Sequence, residues 1–164
     1  MRIPRIYQAG EFQVGQIIAL SSQASQHVGV VLRMQIGAQL IIFSGDKWEF
    51  NATIVEITKR LVKVHLTQLI QQNKESELML HLAQGIGRGD KMELIIQKTT
   101  ELGITRITPI FSKYCGVNLS ADRLEKKHRQ WQDIAIAACE QSGRNILPQI
   151  DAPCDFTQIG RAHV

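Results

Sequence analysis

Three arginines in the N-terminal half of the sequence carry side chains that could bind nucleic acid. They are Arg2, Arg5 and Arg33. A guanidinium group presents a planar fork of donors that matches the oxygens of a phosphate, and it also stacks on bases. These residues predict contacts with a nucleic acid, and the alternative interpretation is that they are scattered surface arginines.

A second group of polar residues lies in the C-terminal half and combines cations with carboxylates. Lys98 and Glu101 are three residues apart, so they share one face of a helix. Glu140 and Gln141 lie at the end of a second predicted helix, and Arg144 follows it. In the alternative interpretation, Lys98 and Glu101 form a solvated ion pair and Arg144 stabilises the negative end of a helix. Spacing alone favours that alternative.

A glycine-rich turn resembles a phosphate-binding loop but departs from the known patterns. Gly85, Gly87 and Gly89 follow a predicted strand and open a predicted helix. A dinucleotide fingerprint requires a further small residue and a later acidic residue, whereas Asp90 stands here and would repel a phosphate. The pattern therefore favours a flexible strand-to-helix turn.

Histidine and cysteine spacing argues against a metal or disulfide site. The five histidines show no HxxxH or HExxH spacing, and the three cysteines form no CxxC pair. We predict no metal, no disulfide framework and no nucleophilic triad. Cysteine usage of this kind is typical of the reducing cytoplasm.

Composition and charge place the chain among basic globular proteins. It has 164 residues, 44% of them hydrophobic, a formal net charge of +4 and a pI near 9.1. Residues 1–72 hold seven basic and four acidic residues, so most of the excess charge lies there. Such an excess is typical of nucleic-acid binding, and the equally weighted alternative is a soluble basic protein without such a partner. No apolar run approaches the length of about 20 residues that spans a bilayer, and the N-terminus does not resemble a signal peptide.

Residues 1–72 read as a small antiparallel β-barrel. Short apolar or alternating segments separated by turns predict strands over residues 16–20, 39–43, 48–58 and 61–66. Between the first two strands, residues 22–34 have helical spacing, with His27, Val30, Val31 and Met34 on one predicted face. Ser21 or Ser22 is the predicted N-cap.

Residues 73–164 read as a second domain of the α/β class, entered through a polar linker over residues 71–77. Strands are predicted over residues 78–86, 104–111 and 147–150, with helices over 91–102 and 121–142 between them. This alternation predicts a parallel sheet with helices on its faces. Asp90 with Glu93 predicts a capping box at the first helix, and Gly103 predicts its end. Ser120 is the predicted cap of the second helix.

Four blocks of the sequence together have a recognisable pattern. They are Met1-Arg2-Ile3-Pro4-Arg5-Ile6-Tyr7, His27 followed by Val31-Leu32-Arg33, Gly89-Asp90-Lys91-Met92-Glu93 with Gln97-Lys98-Thr99-Thr100-Glu101-Leu102-Gly103, and the stretch from Trp131 through Glu140-Gln141-Ser142-Gly143-Arg144 to Pro148. These blocks resemble the RsmE family, bacterial 16S rRNA uracil-N3 methyltransferases. Their joint occurrence, in order, over residues 1 to about 150 makes the resemblance specific.

The resemblance implies a PUA-like β-barrel followed by a SPOUT methyltransferase domain with an α/β knot. It also implies S-adenosylmethionine as cofactor, a homodimer, and one uridine of 16S rRNA in the small ribosomal subunit as substrate. The N3 atom of uracil carries a proton, so the site must favour its loss. Arg144 could stabilise the resulting anion, Glu140 or Glu101 could orient that cation or accept the proton, and Gln141 and Lys98 complete the implied catalytic set. Arg2, Arg5 and Arg33 are the implied RNA contacts.

The sequence departs from the family at its C-terminus. Family members carry a Gly-Pro-Glu-Gly-Gly-like loop and a later Leu-Arg-x-Glu-Thr-like segment, which form the knot that holds the cofactor, and neither occurs here. Residues 159–164 resemble a translated sequencing adapter. We therefore expect a partial methyltransferase domain without cofactor-binding residues, inactive by itself. The alternative is a non-catalytic RNA-binding module that uses the basic N-terminal barrel.

Overall fold

A computed structural model describes residues 3–70, 75–87, 89–111 and 121–158. The chain divides into two compact units, Met1–Lys74 and Glu75–Val164. The domain boundary expected after residue 72 lies two residues before this division. The predicted cap Ser120 and the adapter-like residues 159–164 lie outside the described residues, as does Arg2. None of the helices in the described ranges has the length and apolar character that crossing a membrane requires.

The N-terminal unit is built on a five-stranded sheet with the order β1-β3-β4-β5-β2. Its strands are β1 (Arg5–Tyr7), β2 (Ile17–Ala19), β3 (Gln39–Phe43), β4 (Glu49–Ile57) and β5 (Val62–Ile70). The four predicted strands are present, but β5 extends four residues beyond the predicted end. The three-residue strand β1 was not predicted, and it pairs with β3 in parallel rather than antiparallel orientation.

Alternation along β4 explains how this sheet buries its core. Phe50, Ala52 and Ile54 are buried on one face, and then a β-bulge shifts the register between Ile54 and Glu56. The extra residue, Val55, is exposed. The bulge therefore accounts for the break in alternation that the sequence shows at this point.

The segment after β2 is helical but shorter than predicted, and it buries a different face. Helix α1 (Ser22–Gln26) is capped by Ser21, whose Oγ accepts the Ala24 N–H at 3.1 Å, and a π-helical turn follows over His27–Val31. Val28 is fully buried, whereas Val30 and Val31 are 62% and 65% exposed. The predicted face was wrong because a π-helical turn rotates less per residue than the α-helical spacing assumes.

The C-terminal unit contains a four-stranded parallel sheet. Its strands are β6 (His81–Gly85), β7 (Arg106–Phe111), β8 (Gln149–Ile150) and β9 (Cys154–Asp155), and both β8 and β9 pair with β7. Helix α2 (Lys91–Glu101) and helix α3 (Ala121–Ser142) alternate with the strands. The core of the unit includes Ile96 of α2, Ile107 of β7 and Trp131 of α3. The predicted β-α-β-α-β order is present, with a first strand that begins three residues later than predicted.

The ends of the two helices confirm part of the predicted capping. Gly103 and Gly143 follow α2 and α3 with φ angles of 98° and 87°, which favour glycine at these stops. The predicted capping box was wrong, because the Asp90 side chain makes no capping hydrogen bond. Glu93 instead accepts hydrogen bonds from Lys127 Nζ at 3.3 Å and Gln130 Nε2 at 2.7 Å, so its carboxylate joins α2 to α3.

Candidate functional site

Arg144 lies at the centre of a buried network that the sequence did not predict. Its Nε donates to Glu75 Oε2 at 2.9 Å, and its Nη2 lies 2.8 Å from the same oxygen. The other carboxylate oxygen, Oε1, accepts the backbone N–H groups of Asn145 and Ile146 at 3.0 and 3.1 Å. Glu75 therefore holds both the guanidinium group and the chain that follows α3.

The same guanidinium group also stabilises the end of the other helix. Arg144 Nη1 donates to the carbonyl oxygens of Thr100 at 2.8 Å and Ile104 at 2.9 Å. Thr100 lies in the last turn of α2, where carbonyl groups lack partners within the helix and carry partial negative charge. Arg144 thus complements a helix C-terminus, as the alternative interpretation held, but the helix is α2 rather than α3.

This contact brings the candidate catalytic residues to one end of the helical layer. Lys98 and Glu101 belong to the last turn of α2, and Glu140 and Gln141 belong to the last turn of α3. Arg144 follows α3 and contacts α2, so the two turns are neighbours. Lys98 Nζ donates to Glu101 at 2.9 Å on an exposed part of the helix. Gln141 is exposed and Glu140 half-buried, and both make further polar interactions.

Glu75 is the residue of this site that the sequence did not identify. It falls within the predicted linker over residues 71–77. In that run of polar side chains, nothing in the sequence distinguishes Glu75 as the carboxylate that pairs with Arg144. Glu75 and Arg144 are 69 positions apart, so no helical or strand periodicity relates them. The sequence predicted Glu140 or Glu101 as the carboxylate that orients Arg144, and it contained no signal for Glu75.

A second polar cluster joins the strands of the parallel sheet. Asp151 accepts a hydrogen bond from Arg106 Nε at 2.8 Å and others from Thr108 and Gln149, and His81 Nε2 lies 2.7 Å from Thr108 Oγ1. Burial acts to raise the pKa of Asp151, but the hydrogen bonds of Arg106 and Thr108 and the charge of Arg106 outweigh it. The pKa of this carboxyl is therefore lowered. Sequence spacing carried no signal for this cluster, because its members come from three separate segments.

The three arginines predicted to bind RNA have different environments. Arg2 lies outside the described residues. Arg5 is 7% exposed, forms a buried ion pair with Glu49 and lies 4.8 Å from the centre of the Phe43 ring. Arg33 is exposed, with a φ angle of 50° that is unusual for a residue other than glycine. Their role toward RNA stays a prediction, and Arg5 has a structural role in the N-terminal core in any case.

Among the described residues, no three His, Cys, Asp or Glu side chains are placed to hold a metal ion. Cys139 is buried, and its thiol lies 3.7 Å from the Ile146 carbonyl oxygen. This contact accords with the small core residue that its alanine-rich surroundings suggest.

Comparison with known families identifies a domain family for each of the two units. A family model described as an RNA methyltransferase domain matches residues 74–163, and one described as an RNA methyltransferase PUA domain matches residues 20–67. Ribosomal RNA small subunit methyltransferase E of Buchnera aphidicola (from Schizaphis graminum) is 38% identical over 152 residues, which are 93% of this chain. The protein of that name from Bacillus subtilis is 32% identical over 86% of this chain. The chain belongs to the RsmE family of RNA methyltransferases.

Solved structures related to the RsmE family have the same fold. A methyltransferase from Legionella pneumophila, in complex with the bound cofactor SAM, is 46% identical with a TM-score of 0.96, covering 98% of this chain and 66% of that one. A ribosomal RNA small subunit methyltransferase E from Neisseria gonorrhoeae, bound to S-adenosyl methionine, is 32% identical with a TM-score of 0.92, covering 96% of this chain and 64% of that one. The expected fold class, a PUA-like domain followed by a SPOUT-type α/β domain, is confirmed.

This RsmE-family chain is shorter than the relatives that it matches. It spans 62% of the length of the Buchnera aphidicola protein and 55% of that of the Bacillus subtilis protein.

Proposed function

We propose that the whole protein transfers a methyl group from S-adenosylmethionine to N3 of a uridine in 16S rRNA. This chain spans only part of the length of the relatives that it matches. One observation carries the proposal: both RNA methyltransferase family models match, in the order PUA domain and then methyltransferase domain, along a chain 38% identical to an RsmE protein. The substrate is then the assembled small ribosomal subunit. We place the protein in the cytoplasm and expect it to act as a homodimer.

The reaction requires removal of the N3 proton before the methyl group is transferred. A nearby base takes the proton, and the N3 electron pair forms the new N–C bond while the bond between that methyl carbon and the sulfonium sulfur breaks, which would leave S-adenosylhomocysteine. Glu101 and Glu140 are the proposed acceptors of that proton, because a carboxylate is basic and both lie where α2 and α3 end. Lys98 and Gln141 are proposed to orient the uracil ring through its carbonyl oxygens.

We assign Arg144 the part of a positioning residue within this proposal. Its Nε, Nη1 and Nη2 atoms already contact Glu75 and two carbonyl oxygens, and the residue is buried. A guanidinium group held in this way cannot approach a substrate without breaking those bonds. It instead fixes the last turn of α2 against the chain that follows α3, and so sets the distance between the two proposed carboxylates.

S-adenosylmethionine supplies the electrophilic methyl group when it is bound, but the described residues do not form a recognisable site for it. In open α/β sheets, ligands bind beyond the carboxyl ends of the strands. In the described part of the C-terminal unit, the buried side-chain polar atoms without a hydrogen-bond partner are Thr100 Oγ1 and Trp131 Nε1. Both belong to helices, so no orphaned donor marks a cofactor contact at that edge. The cofactor contacts are proposed to come from residues other than those described.

A non-catalytic RNA-binding module remains the second candidate function. The N-terminal unit has its own hydrophobic core and holds most of the excess positive charge. This function requires only the first unit, whereas methylation requires both. The two are distinguished by whether the chain binds the cofactor as well as RNA.

The decisive experiment compares this 164-residue chain with the protein expressed from the complete open reading frame at its genomic locus. Each is incubated with methyl-labelled S-adenosylmethionine and small ribosomal subunits lacking the modification, and the labelled nucleoside is identified. We expect N3-methyluridine with the protein from the complete frame. We expect neither methylation nor cofactor binding with the 164-residue chain. A methyl group on another base or on protein would overturn the proposal.

A further inference from the structure

A groove runs beside the π-helical turn of the N-terminal unit. It has a volume of about 610 Å³, and its walls come from α1 with the π-helical turn on one side and the turn between β4 and β5 on the other. The residues on which the inference depends are Ser22, Val30, Ile57, Lys59, Arg60 and Leu61. We call it the Lys59 groove below.

The charged side chains that line the Lys59 groove are both cations. Lys59 and Arg60 are exposed on its rim, and no Asp or Glu is among the described residues that line it. Two other basic residues of the unit have acidic partners, since Arg5 pairs with Glu49 and Lys63 pairs with Glu56. Uncompensated cations beside a concave surface attract an anionic ligand.

The two cations are presented by a turn of defined shape. The Thr58 N–H donates to the Leu61 carbonyl oxygen at 2.8 Å, and Thr58 Oγ1 accepts the Leu61 N–H at 3.0 Å. Lys59 and Arg60 are the two residues enclosed by these bonds. A hydroxyl that bonds to the backbone in this way stabilises a turn, so the positions of both side chains are constrained at their bases.

The opposite wall is joined to the same sheet by hydrogen bonds of a buried side chain. Ser25 of α1 donates from Oγ to the Leu20 carbonyl oxygen at 3.2 Å and accepts the Val62 N–H at 3.1 Å. Val62 is the first residue of β5, directly after the turn. The buried Ser25 hydroxyl therefore connects α1 to β5, the strand that follows the turn with the two cations.

Part of the lining of the groove is aliphatic. Val30, Ile57 and Leu61 contribute apolar surface, and Val30 is well exposed to solvent. Single-stranded RNA offers both chemistries that such a groove can use: phosphates for the cations and unpaired bases for the apolar wall. The family model described as an RNA methyltransferase PUA domain matches residues 20–67, which include both walls of the groove, so RNA rather than an acidic peptide is the favoured polyanion.

We propose that the Lys59 groove binds the phosphate backbone of a single-stranded RNA segment. This inference rests on the proposed function, because it names where the N-terminal unit would contact the rRNA substrate. Contacts to phosphate position the RNA but do not read its sequence. Binding at this groove is therefore tolerant of base sequence.

The first test measures binding of the 164-residue chain to a fluorescein-labelled, mixed-sequence RNA of about 12 nucleotides by fluorescence anisotropy. Replacing Lys59→Glu or Arg60→Glu lowers affinity about tenfold, and the double replacement Lys59→Ala with Arg60→Ala lowers the salt-dependence slope by about 1.4, since each phosphate contact on single-stranded RNA contributes about 0.7. The matched control is Lys47→Glu, an exposed residue of the same unit outside the groove with the same change of charge. It lowers affinity less than about threefold.

A second pair of variants separates the groove from general electrostatics. Val30 lines the groove and Val31 does not, although both are exposed and adjacent. Val30→Glu is expected to weaken RNA binding about tenfold and Val31→Glu to leave it nearly unchanged. Circular dichroism confirms that both variants fold, which their exposed positions favour.

The outcomes distinguish this inference from the proposed function. Equal losses in Lys47→Glu and Arg60→Glu, equal losses in the two valine variants, or no RNA binding by the unmodified chain would each overturn the Lys59 groove. Methylation of the small subunit by the protein from the complete frame is scored independently. If methylation occurs while the groove variants bind RNA normally, the proposed function stands and the groove assignment fails.

Discussion

Arg144 and Glu75 form a buried ion pair, with 2.8 Å between Nη2 and Oε2, across a separation of 69 positions in the chain. The pair ties the first described residue of the C-terminal unit to the segment after α3, and Arg144 extends the connection to the end of α2. Three separate segments are therefore fixed by one carboxylate and one guanidinium group.

Removing Glu75 should destabilise the C-terminal unit strongly. Glu75→Ala removes the carboxylate that pairs with the buried Arg144 guanidinium and accepts hydrogen bonds from two backbone N–H groups, which costs about 3–5 kcal/mol. Urea unfolding followed by tryptophan fluorescence of Trp131 measures the loss. The control is Glu77→Ala, an exposed carboxylate two residues away, with an expected change below about 0.5 kcal/mol. Equal stability of the two variants would show that the ion pair contributes nothing.

Arg5→Ala should destabilise the N-terminal unit rather than act only on RNA binding. The buried Glu49 carboxylate loses its ion pair with the Arg5 guanidinium group, and the contact between that group and Phe43 is also lost. We expect a loss of about 3 kcal/mol in the free energy of unfolding. Arg33→Ala, at an exposed position, is the matched control and should change stability little. If Arg5→Ala keeps full stability but loses RNA affinity, the role of Arg5 is recognition.

The contribution of Asp151 to stability should depend on pH. Its pKa in the folded state is lowered from the ordinary 3.8, so the folded state favours the charged carboxylate. The stabilisation is complete above that ordinary value and is lost as the pH falls through the lowered pKa. The difference in unfolding free energy between the unmodified chain and Asp151→Asn should thus be larger at pH 7 than near pH 3.

The control for this prediction is Asp133→Asn, a change at an exposed carboxylate on α3. It should alter the unfolding free energy by less than about 0.5 kcal/mol at pH 7. A difference for Asp151→Asn that stays constant between pH 7 and pH 3 would contradict the assigned cause.

Lys98→Ala should leave stability nearly unchanged, which makes it a clean probe of the proposed chemistry. The Lys98–Glu101 ion pair is exposed on one side, and such helix pairs contribute about 0.3–0.5 kcal/mol. A fall of tenfold or more in kcat for small-subunit methylation, with an unchanged melting temperature, would support a role at the site. Unchanged methylation in the protein from the complete frame would remove Lys98 from the proposed set. Lys91→Ala, at the exposed start of the same helix, is the control.

Local regularity explains what could be read from the sequence. Helices α2 and α3 and the long strand β4 have apolar residues at regular spacing, and Gly103 and Gly143 stop the helices because a positive φ suits glycine. Ordered blocks of residues were sufficient to identify the family and, through it, the fold of both units. These features depend on neighbours a few residues apart, so they are encoded within short windows.

The tertiary structure decided everything that depends on distant partners. Strands β1 and β9 have three and two residues, too few to show a period, and they form only because β3 and β7 present edges to them. The π-helical turn changed which valines face solvent. Whether an arginine is exposed or forms a buried ion pair depends on a carboxylate elsewhere in the chain, which is Glu49 for Arg5 and Glu75 for Arg144. The free energy of a buried charge is set by such long-range pairing, and spacing along the sequence does not record it.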